Sequence, residues 1–165
     1  MFGKSLSGYV AFQKPVLILI AAVWALRLVL SMAGVPVAGV KFVSVTGVLV
    51  LGALYYGWAV GQKGFGSFKQ LYGLNLIQGL FSQTLVALAI VLAIVIGQDN
   101  IYTIPEFYPP SQGNDPMGMP PDGKNIGHAV AHIVLAGAIF IPSVGWLLGS
   151  LVLLATRKSA RPASP

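Results

Sequence analysis

Four long apolar runs, separated by short polar stretches, dominate the hydrophobic pattern of this chain. They cover residues 15–33, 42–60, 71–97 and 126–155. A hydrocarbon core about 30 Å thick is crossed by roughly 20 helical residues, and each run comes close to that length or exceeds it. Backbone groups in lipid must find their partners inside the protein, which selects helices, and no run alternates with the period of two that a strand requires. The pattern therefore predicts an all-α integral membrane protein. It would be a four-transmembrane-helix bundle forming a single membrane domain over residues 1–155, with a disordered tail over 156–165.

Composition strengthens this picture. Of 165 residues, 56% are hydrophobic and 8% charged, against about 25% charged in a soluble domain. Lipid is the expected solvent and first partner. The chain has no cysteine, so disulfides, thiolate metal sites and thiol catalysis are excluded. A net charge of +6 raises the question of nucleic acid. However, the basic residues flank the apolar runs instead of forming a soluble patch, so no nucleic-acid partner is expected. Lys4, Lys14, Lys63, Lys69, Arg157, Lys158 and Arg161 fall on one side of the expected membrane, and only Lys41 and Lys124 on the other. The positive-inside rule then places both termini in the cytoplasm, and a bacterial cytoplasmic membrane is the expected location. The first run could be mistaken for a secretory signal with a cleavage site near SMA–G or PVAG. Its full span length and its Arg27 argue for an uncleaved anchor.

The connections differ in character. The first two are short, so consecutive helices should run antiparallel. The third, over residues 98–125, holds six of the eleven prolines and all four acids, Asp99, Glu106, Asp115 and Asp122; a loop of this length is usually functional or disordered. Residues 1–13 read as either a short interfacial helix or a frayed end. Gly57 with Gly61, and Gly145 with Gly149, are spaced four apart, the spacing at which small residues let helix backbones meet. Pro142 is expected to kink the fourth helix by freeing the carbonyl of Ala138. No internal repeat is visible.

Three groups of residues carry candidate chemistry. His128 and His132, the two histidines of the chain, are spaced four apart. On a helix their Cβ atoms would lie about 6 Å apart, as a bidentate metal site requires. Met32, Met117 and Met119 lie on the same expected side, and a His–Met set would favour copper. Haem is harder to fit, because two histidines on one helix cannot ligate opposite faces of one iron; a His–Met haem stays open. The plainer alternative is that His128 marks the water boundary without a partner, while His132 hydrogen-bonds a neighbouring helix or loop. Arg27 is the one charge inside a run. It reads as an anion site, as the partner of Asp99 or Glu106, or as a side chain snorkelling to the headgroups. Asn75, Gln78, Ser82 and Gln83 form a polar stripe on the third run, which serves either as the lining of a path or as glue between helices.

The expected function is that of a small non-enzymatic accessory or assembly subunit, acting through its helix faces and outer loop, without a cofactor and in a homo-oligomer or with partner membrane subunits. A small oligomeric transporter or channel lined by Arg27 and the polar stripe is the first alternative. It is similar to small four-helix multidrug carriers in helix count alone, since those use an acid in the first span and this chain has none there. A copper- or haem-binding protein using the two histidines is the second alternative.

Overall fold

The computed structural model describes residues 2–103 and 123–159; Glu106, Asp115, Met117, Met119, Asp122 and residues 160–165 lie outside the described residues. The described chain is helical, without strands. Its elements are α1 (Leu6–Met32), a single turn α2 (Val37–Val40), α3 (Val45–Gln62), α4 (Phe68–Ile96), α5 (Ile126–Ala131), a π-helical segment (His132–Phe140) and α6 (Ile141–Ser159). The last three form one continuous span. Four helices, Leu6–Met32, Val37–Gln62, Phe68–Ile96 and Ile126–Thr156, are long and apolar enough to cross a membrane.

Local sequence sets the helix ends. Ser5 accepts from the Gly8 N–H at 3.1 Å, Ser44 from Gly47 at 3.0 Å and Asn125 from His128 at 2.8 Å. Each cap satisfies an amide that the first turn leaves open. At the start of α4 the Gln70 side chain accepts from the Ser67 N–H at 2.8 Å. Helix α4 ends on Gly97 with φ +71°, a left-handed conformation that glycine adopts without a Cβ penalty.

Two boundaries differ from the pattern reading. Helix α1 begins at Leu6 and continues through Pro15 into the first span, so residues 6–13 are neither a separate interfacial helix nor a frayed end. The physical reason is packing: Tyr9 and Gln13 are fully buried, and Phe12 stacks on Phe65 with ring centroids 4.0 Å apart. At the other end, α6 carries on to Ser159, past the expected start of the tail at residue 156.

Helices α3 and α4 are central. Each packs on the other, on α1 and on the fourth span, whereas α1 and the fourth span make no close backbone contact among the described residues. The pairing of α3 with α6 is the most extensive, and small residues explain it. A Cβ added at Gly57 would collide with the carbonyl of Gly149, and one at Gly149 would lie 2.8 Å from the carbonyl of Ala53. Apolar clusters fill the two ends. One contains Tyr9, Tyr56, Val60, Leu71, Leu74 and Leu153. The other, near the long connection, contains Leu28, Val86, Ile90, Ile101, Tyr102 and Ala129.

At Pro142 the carbonyl left without an N–H is that of Gly137, one residue before the expected Ala138. The backbone before it widens into the π segment, in which the Ile141 N–H bonds the carbonyl of Ala136, five residues back. In that register the carbonyl five residues before Pro142 belongs to Gly137, and proline has no N–H to offer it. This carbonyl lies against α4, where a Cβ on Gly79 would stand 2.5 Å from it. A second backbone contact between helices is the result.

Gly149→Leu should force α6 away from α3 and destabilise the protein by about 1–3 kcal/mol, the usual range for overpacking. Leu151→Ala, at an exposed position of the same helix, should stay within about 0.5 kcal/mol of the parent, as surface changes do. Unfolding in mixed detergent micelles, followed by circular dichroism, measures both.

Candidate functional site

The polar stripe on α4 is brought together as the spacing anticipates, and it is buried. Asn75 and Gln78 are fully buried, and Ser82 and Gln83 nearly so. Asn75 donates to the Leu71 carbonyl at 2.9 Å, Gln78 to the Leu49 carbonyl of α3 at 2.9 Å, and Ser82 to the Gly79 carbonyl at 3.0 Å. The amide oxygens of Asn75 and Gln78 face glycines: a Cβ at Gly145 would collide with the first and a Cβ at Gly52 with the second. There the glycine Cα–H groups are the nearest weak donors, a contact common where helices approach closely. Asn75 and Ser82 thus bond carbonyls of α4 itself, and Gln78 bonds the backbone of α3.

Gln83 is the exception, because it turns to a side chain. Its Oε1 lies 2.6 Å from Nδ1 of His132. Nε2 of His132 lies 3.1 Å from Nε2 of His128, and Nδ1 of His128 lies 2.7 Å from the carbonyl of Gly123. His128 therefore has two partners, contrary to the expectation that it needs none at the helix entry. It is held because the chain before α5 folds back: Gly123 has φ +59°, and a Cβ there would collide with the carbonyl of Thr103. Met32, offered by the sequence as a further ligand, is half exposed on α1. That helix makes no close backbone contact with α5 or the π segment.

Arg27 is 3% exposed, so its side chain is buried within the protein. Its guanidinium carbon lies 5.4 Å from the ring centre of Tyr102, within range of a cation–π attraction. Tyr102 stacks on Trp24 and donates its hydroxyl to the Trp24 carbonyl at 3.1 Å. Burial raises the Tyr102 phenol above its ordinary range, with the Arg27 charge pulling the other way, so the hydroxyl stays protonated and able to donate. Asp99 does not pair with Arg27: one oxygen accepts from Thr103 at 3.0 Å and the other meets Lys124 at 3.2 Å.

Sequence reasoning missed the turn that makes these contacts. Residues 99–103 tuck Ile101 and Tyr102 into the core, and Asn100 secures the turn by donating to the Ala89 carbonyl at 2.8 Å and accepting from the Tyr102 N–H at 2.9 Å. The only signal was an Asp-Asn pair after a helix-ending glycine, a turn composition that does not say where the turn docks.

No protein-family model, curated protein or solved structure matches the chain. The site is therefore read from its own chemistry.

Asn100→Ala should strip the Ala89 carbonyl of a buried partner and cost about 1–3 kcal/mol. Amide exchange in residues 99–103 should accelerate well before the centre of α4 does. Equal acceleration along α4 would show that the turn is not a local clasp.

Proposed function

We propose that this is a small polytopic membrane protein with both termini in the cytoplasm of a bacterium, working by contact as a non-enzymatic accessory or assembly subunit. The observation that carries this reading is the division of labour on its helices. The polar groups of α4 are turned inward and bonded to the backbone of the bundle, while α1 and the fourth span carry exposed Ile18, Leu26, Val29, Leu147, Leu151 and Leu154. Gln78 acts as glue to α3, and outward apolar faces are open to lipid or to a partner helix. The charge bias of the connections supports the sidedness.

Photo-crosslinking from positions 26 and 147 in living membranes tests the role. One discrete protein adduct from either exposed position, and none from buried position 53, is expected; adducts to lipid alone would remove the subunit reading. Reporter tags test the sidedness: a tag within residues 104–122 should be accessible from outside, and tags at both termini only from inside. Proteoliposome flux that is lost in Arg27→Ala would favour a carrier instead.

A further inference from the structure

Both histidines present the same ring nitrogen to each other. Nε2 of His128 and Nε2 of His132 are 3.1 Å apart. The opposite nitrogen of each ring faces an oxygen, the Gly123 carbonyl for His128 and Oε1 of Gln83 for His132. Carbonyl and amide oxygens only accept, so with the Gln83 oxygen facing His132 each Nδ1 carries the hydrogen. A neutral imidazole has a single N–H, so in both rings Nε2 is left with a bare lone pair. Two lone pairs then lie 3.1 Å apart, and a cation between them relieves their repulsion.

We propose that His128 and His132 form a two-nitrogen binding site for a transition-metal ion of the copper and zinc class. The separation of the two nitrogens suits an ion between them. With metal–nitrogen bonds of about 2.0–2.1 Å, two ligand nitrogens stand about 2.9 Å apart at a right angle and about 3.3 Å apart at the tetrahedral angle; the separation here falls between. Metal-ligating histidines characteristically donate the other ring N–H to a carbonyl or carboxylate, which fixes tautomer and orientation. Both rings have that support, from two different parts of the fold. Gly123 is pinned beneath His128 by the turn at Thr103. Gln83 comes from α4, where its Cβ and Cγ pack on Gly137 of the π segment. The segment itself begins at His132, and such wide turns recur at functional sites. Among the described residues no third histidine, cysteine or carboxylate joins the pair. Imidazole nitrogens bind copper(II) more tightly than zinc.

One rival arrangement uses the same atoms. If the Gln83 amide is turned over, its N–H donates to Nδ1 of His132, His132 donates from Nε2 to His128, and His128 donates to Gly123. Every group in this relay is satisfied and no lone pair is left for a metal.

The test uses the full chain, purified in detergent through a histidine-free tag, stripped with chelator and titrated separately with Cu²⁺ and Zn²⁺ by calorimetry. One Cu²⁺ per chain is expected, bound more tightly than Zn²⁺, with an electron paramagnetic resonance spectrum showing coupling to two imidazole nitrogens. Affinity should fall at least about tenfold in His128→Ala and His132→Ala, and about 10–100-fold in Gln83→Leu, the range for loss of an orienting partner. The parent spectrum does not depend on whether any variant folds. A parent chain that takes up no copper, or whose copper signal lacks imidazole coupling, overturns the proposal and leaves the neutral relay as the arrangement.

Discussion

Backbone contact between helices is the constraint on which the rest of this structure rests. Where lipid is the solvent, burying apolar side chains gives helices little reason to associate, because the lipid tails are equally apolar. Close packing and polar contacts have to replace that drive. Gly57 against Gly149 and Gly79 against Gly137 provide the close approach. These two contacts set α6 on α3 and the π segment on α4, while Gln78 ties α4 to α3 through the Leu49 carbonyl. A leucine at any of the four positions would hold the two helices of that contact apart.

The π segment meets the same constraint. Proline at 142 withholds an N–H, and a helix in lipid has no water to offer the carbonyl left behind. The chain shifts to a five-residue register and presents the Gly137 carbonyl to the glycine of α4. Placing the fourth span this close to α4 also brings His132 within hydrogen-bonding distance of Gln83. The π segment and the histidine that opens it both lie against α4.

The end of the bundle near the long connection is closed by a turn that belongs to neither adjoining helix. Asn100 fastens it to α4, Tyr102 fastens it to α1 through the Trp24 carbonyl, and Asp99 fastens it to Lys124 ahead of α5. Three parts of the chain are thereby clasped at one point. Arg27 lies beneath this clasp with Tyr102 over its guanidinium. A charged group in an apolar span is costly unless the protein surrounds it with suitable partners, and an aromatic face is one of these.

Sequence by itself determined the number of helices, their apolar character and the face of α4 that would turn inward, because periodicity and length are local properties of the chain. The spacing of Asn75, Gln78 and Ser82 was enough to place them on one buried face. The glycine spacings marked where backbones would meet, though not which helix would meet which. Tertiary structure alone decided that α1 continues through residues 6–13, that Pro142 widens the helix, and that Arg27 turns inward to Tyr102. It also decided that Gln83 faces His132 across 49 positions of sequence, and that Gly123 lies beside His128 because of a turn at Thr103. The physical reason is common to all of these: each depends on a group supplied by a distant segment, and no pattern within one helix reveals which backbone carbonyl, ring or amide will arrive beside it.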